Sequence, residues 1–147
     1  MGNIRLFFEE SLSINLISKL DKSQSHYISK VMRVAKGQSF SLFNNSGEWE
    51  AQVKEINKGI VRFLILKKIR SVSTAKEVWL AFTPIKLNYL NFMIQKATEL
   101  GVTKFIPILT ERTIVRNINE KRINKIIIEA SEPVSYTHLT LPTLCSV

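Results

Sequence analysis

Residues 92–102, Phe92-Met93-Ile94-Gln95-Lys96-Ala97-Thr98-Glu99-Leu100-Gly101-Val102, decide how the second half of the chain is read. Leu87, Leu90, Ile94, Ala97 and Leu100, with Met93 beside them, recur at steps of three and four. That spacing lays apolar side chains along one face of a helix. Gly101 falls where the helix should end, because glycine takes the left-handed cap conformation without a Cβ penalty. Val102 opens a new apolar run, and Phe105-Ile106-Pro107-Ile108-Leu109 has the length and composition of a strand. Gln95, Lys96, Thr98 and Glu99 crowd the last two turns, beside the start of that strand. From the residues alone this is an amphipathic helix with a solvated polar face, feeding a strand.

Its surroundings extend the pattern. Upstream, Val78-Trp79-Leu80-Ala81-Phe82 is apolar throughout, as a parallel strand covered on both faces requires. Strand, helix and strand in that order predict a βαβ unit with a right-handed crossover. Downstream, Asn117 with Glu120 three residues later is a capping arrangement for a second helix. Ile123, Ile126, Ile127 and Ala130 make its buried stripe, leaving Lys121, Arg122 and Lys125 exposed.

The first half reads differently. Ile4 to Phe8 is a short strand candidate with Arg5 as its lone charge, and Leu12 to Leu20 has no clear period. Ser23 or Ser25 is placed to cap a helix through His26 to Arg33, with Tyr27, Val31 and Val34 on one side and Lys30 and Arg33 on another. A β-meander follows. Ser39–Phe43 is its first strand, and Asn44-Asn45-Ser46-Gly47 has the residues of a turn tolerating positive φ. Glu48–Lys54 alternates, with Trp49, Ala51 and Val53 facing one way and the polar residues the other. Trp49 is a base-stacking candidate, although that alternation favours the core. Asn57-Lys58-Gly59 turns the chain into Ile60–Leu66, and Lys67, Lys68 and Arg70 end the meander with three positive charges. Ser71–Thr74, small and aperiodic, is the linker expected between two domains.

The chain has 147 residues, 45% hydrophobic and 22% charged, which describes a globular protein rather than a disordered one. No stretch reaches the ~20 apolar residues of a membrane span, so no membrane partner is expected. One cysteine, Cys145, and two histidines exclude a disulfide framework and make a metal site improbable. A cytoplasmic setting is expected. Lys and Arg outnumber Asp and Glu by 21 to 12, and the surplus is +6 in residues 1–74 and +3 beyond them. A charge spread over both halves favours a polyanionic partner bound through counterion release, or merely a lysine-rich surface.

Ile94-Gln95-Lys96-Ala97-Thr98-Glu99-Leu100-Gly101 resembles the signature of the ribosomal RNA small-subunit methyltransferase E family, SPOUT-type enzymes that methylate N3 of a uridine in 16S rRNA. Other segments resemble family stretches too. Arg5-Leu6-Phe7-Phe8 is similar to an Arg-Phe-Phe start. His26, Val31, Met32 and Arg33, followed by Lys36-Gly37, resemble a His…Val-Leu-Arg segment and its Gly turn. Thr110-Glu111-Arg112-Thr113 resembles Ser-Glu-Arg-Ser/Thr, and Glu129-Ala130-Ser131-Glu132 resembles Glu-Ala-x-Glu. The resemblance implies an α+β chain with an N-terminal PUA-like β-barrel over residues 1–74. The first part of an α/β SPOUT (knotted methyltransferase) domain would follow over 75–132. It implies RNA contacts from Arg5, Arg33 and Lys36 in the first domain and from Lys86, Arg112 and Arg116 in the second. Arg5 is otherwise a solvent-facing residue on an edge strand. Gln95, Lys96, Thr98, Glu99, Gly101 and Glu111 carry the family motif. Glu99 and Glu111 are candidate orienting groups, and Glu99 is equally placed to cap or to pair with Lys96 or Arg112.

The partners so implied are 16S rRNA and the small ribosomal subunit, and the complete enzyme would be a homodimer. The cofactor would be S-adenosylmethionine, whose methyl is attacked by uridine N3. The protein supplies positioning and helps remove the imide proton. No catalytic residue is assigned. The resemblance covers residues 4–132, about half of a complete member. The other half would hold the Gly-rich cofactor loops, whereas the five glycines here stand singly at 2, 37, 47, 59 and 101. After Glu132 the family continues with Gln where this chain has Pro133, which would interrupt a helix. Residues 133–147, uncharged and aperiodic, are therefore expected to be a non-native tail, or else a natural strand-and-loop tail. Two other classes fit the composition: a non-catalytic RNA-binding module, and a small α/β protein whose basic surface meets a protein or anionic ligand.

Overall fold

In the computed structural model, which describes residues 4–71, 77–132 and 142–145, the alternating stretch around Trp49 is the centre of a five-stranded sheet. Its strands are β1 (Arg5–Phe7), β2 (Ile17–Lys19), β3 (Ser39–Asn44), β4 (Gly47–Asn57) and β5 (Ile60–Ser71). The spatial order is β1-β3-β4-β5-β2, with β1 parallel to β3 and the other pairs antiparallel. Lys58 and Gly59 both have positive φ, so their two-residue turn twists with the strands it joins. Between β3 and β4 the Asn44 Oδ1 accepts from the Ser46 amide at 2.9 Å and from its hydroxyl at 2.6 Å. Gly47 then passes so close to β5 that a Cβ would collide with the Arg70 carbonyl oxygen.

Three register shifts interrupt the long β4–β5 ladder, and each irregularity adds local bend and twist. The sheet therefore curls. Phe8, just past β1, meets Phe63 of β5 edge-on at 5.3 Å although β3 and β4 lie between them in the sheet order. Leu6, Leu20, Ile28, Phe40, Leu42, Ala51, Val53, Val61 and Ile65 fill the enclosed space with them, and Trp49 packs into it rather than standing out as a platform. Burying each such side chain contributes about 1.5–3 kcal/mol. Glu48 breaks the expected alternation: it is 2% exposed and paired with Arg5. β5 also runs past Leu66 to Ser71, so Lys67, Lys68 and Arg70 lie on a strand. Residues 72–76, most of the expected linker, lie outside the described residues.

The helix expected over 26–33 begins earlier and changes pitch. α1 spans Lys22–His26 and is capped by Asp21, whose carboxylate accepts from the Gln24 amide at 2.8 Å; neither Ser23 nor Ser25 is the cap. A π-helical turn, Tyr27–Val31, follows, closed by the Met32 amide on the Tyr27 carbonyl at 2.9 Å. The added residue per turn rotates the buried face. Ile28 and Val34 point inward while Tyr27 and Val31 are exposed, which corrects the stripe read from spacing.

Contacts divide the chain into two compact units, residues 1–72 and 73–147. In the second, β6 (Trp79–Phe82), β7 (Lys104–Pro107) and β8 (Thr143–Leu144) lie parallel in that order, with α2 (Leu87–Glu99) and α3 (Glu120–Ser131) between them in sequence. Phe82, Leu90, Ile94, Ala97, Phe105, Ile123 and Ile127 form one core. Leu87 and Leu100, at the ends of the expected stripe, are exposed, and Thr98 is buried instead. α2 stops as its sequence predicts: Gly101, at φ 90°, donates to the Thr98 carbonyl at 3.0 Å, and Val102 donates to that of Ala97 at 3.0 Å. This is the paired closure of a Schellman motif.

Three expectations change here. β6 is covered on one face only, since Leu80 and Phe82 meet the helices while Trp79 and Ala81 are exposed. The cap of α3 is Asn119, accepting from the Arg122 amide at 3.1 Å, not Asn117. α3 ends at Ser131, before Pro133 restricts the chain. Of the tail, residues 133–141 and 146–147 lie outside the described residues, and Thr143–Leu144 forms β8 beside β7.

Candidate nucleic-acid interface

Within the first unit, the basic segment is pinned from below. The buried Ser25 hydroxyl donates to the Leu20 carbonyl at 3.3 Å and accepts from the Val61 amide at 3.0 Å. Gln24 donates to the Phe7 carbonyl at 2.6 Å. Those bonds fasten α1 to β5 and β1, while Ile28 and Val34 anchor its continuation in the core. Lys30, Arg33 and Lys36 then project into solvent from a backbone that cannot easily shift. Arg33 adopts φ 53° where the π-helical turn ends, an unusual conformation for a residue with a Cβ. Lys36 sits on a turn tied to the sheet by Gly37 donating to the Val53 carbonyl at 2.8 Å and Gln52 donating to the Gly37 carbonyl at 2.9 Å. Three fixed cations on one short segment suit phosphate contacts, which orient an RNA without reading its bases.

Arg5 does not join them. It is 8% exposed, its Nε lies 3.4 Å from Glu48 Oε1, and its guanidinium sits 3.9 Å from the Phe43 ring centroid. This corrects the reading of Arg5 as a solvent-facing edge residue and leaves little of its guanidinium open to a phosphate. Glu48 also lies 3.9 Å from Arg70, so one buried carboxylate serves two arginines, one from β1 and one from the neighbouring β5. Nothing in the local spacing marks Glu48 as buried, because its neighbours Glu50 and Gln52 alternate outward.

In the second unit Lys86, Arg112 and Arg116 belong to the two loops that leave the carboxyl ends of β6 and β7. Ligands of parallel α/β sheets gather at that edge. Ile108 donates to the Phe82 carbonyl at 2.8 Å, which joins the starts of both loops. Lys86 occupies the cap position of α2 without a side-chain hydrogen bond there. Thr113 shapes the second loop: its buried hydroxyl accepts from the Thr110 amide at 2.8 Å, leaving Glu111 and Arg112 on an exposed tip. Arg116 is exposed further along.

The motif of α2 separates by depth. Thr98 is in the core and Gly101 is the cap, so both act structurally. Gln95, Lys96 and Glu99 form a surface triad, with Lys96 Nζ 2.7 Å and Gln95 Nε2 3.1 Å from the Glu99 carboxylate. The Lys96 bond, aided by Gln95 against some burial, holds that carboxyl below its usual range. Glu99 therefore pairs with Lys96 and stays ionised at neutral pH, unlike a proton acceptor poised near 7. α2 and α3 border a groove of about 930 Å³, where Lys121, Arg122 and Lys125 of α3 face Asn88, Asn91 and Phe92 of α2. Side-chain spacing showed those cations to be exposed, but not that they share a groove with α2.

No cluster of His, Cys, Asp and Glu able to hold a metal ion occurs among the described residues. Nor do the described residues include the Gly-rich loops expected to hold S-adenosylmethionine. Gly101 is the single glycine of the second unit and is spent on capping α2. The apolar pocket between Ile85, Leu90, Ile118 and Ile123 holds about 110 Å³.

Comparison with known proteins agrees with this division. A family described as an RNA methyltransferase PUA domain matches residues 20–66, and one described as an RNA methyltransferase domain matches residues 72–139. The ribosomal RNA small subunit methyltransferase E of Rickettsia conorii is 32% identical over 132 residues, covering 87% of this chain and 53% of the relative. The protein of that name from Buchnera aphidicola subsp. Schizaphis graminum is 35% identical over 109 residues, covering 73% of this chain and 44% of its own. The crystal structure of the Neisseria gonorrhoeae ribosomal RNA small subunit methyltransferase E, bound to S-adenosyl methionine, superposes with a TM-score of 0.81 at 25% identity. It covers 97% of this chain and 61% of that one. The chain thus spans about half the length of the curated relatives it matches. With its PUA domain followed by part of a SPOUT methyltransferase domain, the chain belongs to the ribosomal RNA small subunit methyltransferase E family.

Proposed function

We propose that this chain serves S-adenosylmethionine-dependent methylation of N3 of a uridine in 16S rRNA, as part of an enzyme that acts on the small ribosomal subunit as a homodimer. The observation that carries the role of these residues is the clamped basic segment Lys30–Lys36, standing clear of the barrel on Ser25, Gln24 and Ile28. Arg33 and Lys36 form a phosphate track in the first unit, and Lys86, Arg112 and Arg116 contact phosphate in the second. Gln95, Lys96, Glu99 and Glu111 orient groups near the latter. RNA is then recognised through shape, 2′-hydroxyl and phosphate contacts.

S-adenosylmethionine supplies the electrophilic methyl in the complete enzyme, and the residues assigned here serve the RNA. The 147 residues alone accordingly bind RNA without transferring methyl groups, which is also what a non-catalytic RNA-binding module would do. Two measurements separate the possibilities. Binding of structured 16S rRNA fragments should fall steeply with salt, and Arg33→Ala should weaken it without unfolding; affinity indifferent to salt refutes the phosphate track. Fusing a family C-terminal half after Glu132 should then give cofactor binding by calorimetry and labelled-methyl incorporation into small subunits. Arg112→Ala should lower that incorporation. A fused protein that binds RNA and cofactor yet never methylates refutes the enzymatic assignment.

A further inference from the structure

The groove between α2 and α3 is chemically unlike a packing seam. Its aromatic, Phe92, is 63% exposed, with Lys96 Nζ 5.8 Å from the ring centroid. Beside it, the side-chain amides of Asn88 and Asn91 have no hydrogen-bond partner among the described residues. Asn119 spends its amide oxygen on capping α3 and keeps its NH₂. The two carboxylates of the groove are already matched, Glu99 to Lys96 at 2.7 Å and Glu129 to Lys125 at 3.7 Å. Lys121 and Arg122 face the same space with no carboxylate partner among the described residues, so the groove carries uncompensated positive charge.

We propose that this groove seats unpaired nucleotides of the RNA. Phe92 stacks on a base, Asn88, Asn91 and Asn119 bond its edge, and Lys121 and Arg122 hold the adjoining phosphates. The inference rests on the RNA-binding role above and adds a second, single-stranded subsite to it. An aromatic face, free carboxamides that donate and accept, and a pair of cations are the groups that recognise a splayed-out nucleotide. A protein partner would want a broad apolar centre, which Phe92, Ile126 and Ala130 among nine polar or charged lining residues do not supply. A duplex keeps its base edges stacked away from such amides. The volume, about 930 Å³, lies at the upper end of the roughly 300–1,000 Å³ range of small-ligand sites.

The test uses the whole 147-residue chain and a short oligouridylate carrying 4-thiouridine, in the Arg33→Ala background so that the first unit contributes least. Irradiation followed by peptide mapping should place adducts in residues 87–99 and 119–131. Phe92→Ala should weaken binding roughly 5- to 150-fold, the loss expected for one base stack, while Phe92→Tyr retains it and circular dichroism stays unchanged. Replacing Lys121 and Arg122 together by Ala should make the slope of log affinity against log salt shallower by about 1.4. Adducts confined to residues 4–71, or α2–α3 adducts insensitive to Phe92→Ala, overturn the groove while leaving the RNA-binding role intact. Displacement by polyglutamate as effective as by oligouridylate overturns nucleotide recognition in favour of an acidic protein segment. If the parent chain binds no RNA of any kind at low salt, both the role and the groove fall.

Discussion

Replacing Glu48 by Gln removes the carboxylate that stands 3.4 Å from Arg5 and 3.9 Å from Arg70. Arg5 and Glu48 side chains are 5% and 2% exposed, so water cannot take over the lost interaction. Breaking a buried pair while its partner stays charged costs about 3–5 kcal/mol. Two features pull the value toward the lower end. The Arg5 guanidinium keeps its place 3.9 Å from the Phe43 ring, worth about 2 kcal/mol in a desolvated site, and Gln still accepts a hydrogen bond. About 3 kcal/mol is therefore expected. At 4–8 °C per kcal/mol for a unit of this size, the transition of the first unit should drop by roughly 12–24 °C. Urea and thermal melts followed by Trp49 fluorescence in a Trp79→Phe background report that unit alone. Arg5→Met should also be damaging, because it leaves the buried Glu48 to the more distant and partly exposed Arg70. The double variant Arg5→Met/Glu48→Leu should recover much of the loss, since apolar replacements of a buried pair are often neutral or stabilising. A Glu48→Gln loss below about 0.5 kcal/mol, the scatter of ordinary surface changes, would refute the buried pair. So would additivity of the two single changes. Should Arg5→Lys lower RNA affinity at unchanged stability, Arg5 contacts RNA directly as well.

Gly47→Ala should destabilise the first unit by about 1–3 kcal/mol, because φ 145° and the Arg70 carbonyl leave no room for a methyl; an unchanged urea midpoint refutes the clash. Ile94→Ala, at a fully buried position of α2, should cost about 2–5 kcal/mol and be visible as lost amide protection across the second unit. The Glu99 carboxyl, held low by Lys96 and Gln95, stabilises the end of α2 above the ordinary carboxylate range and loses that contribution as pH falls through its depressed value. NMR titration should show its midpoint rising in Lys96→Met, and an unmoved midpoint would assign the shift elsewhere. The second unit exposes Trp79, Tyr89, Phe92, Leu100 and Ile114, so hydrophobic dye should bind the chain, and less to a Trp79→Lys/Leu100→Lys variant.

Local chemistry settled much of this protein before any coordinates. The turn at Lys58-Gly59, the Gly101 cap and the period of Leu90, Ile94 and Ala97 act within a few residues, so their spacing was enough to place a hairpin, a helix end and a buried stripe. The stretch from Ile94 to Gly101 likewise named the family, because its order of residues is itself the signal. Boundaries were less legible where neighbours compete for one job. Asp21 caps α1 because Ser25 is drawn into bonds with Leu20 and Val61, a strand 36 residues away in sequence. The extra π-helical residue after His26 exchanged Tyr27 and Val31 for Ile28, which no fixed period foretells.

Only the tertiary structure decided which charges are available to a ligand. Arg5 and Arg33 are alike in sequence, each a basic residue in an apolar setting. One is enclosed because the curled sheet brings Glu48 and Phe43 to it; the other is exposed because the helix bearing it ends at the surface. The same holds for Lys121 and Arg122, whose meeting with Phe92 and the asparagines depends on α3 packing beside α2. Helix periods and turn residues are short-range and written in the chain. Desolvation and charge pairing depend on which distant strand or helix arrives, and that is fixed only when the cores close.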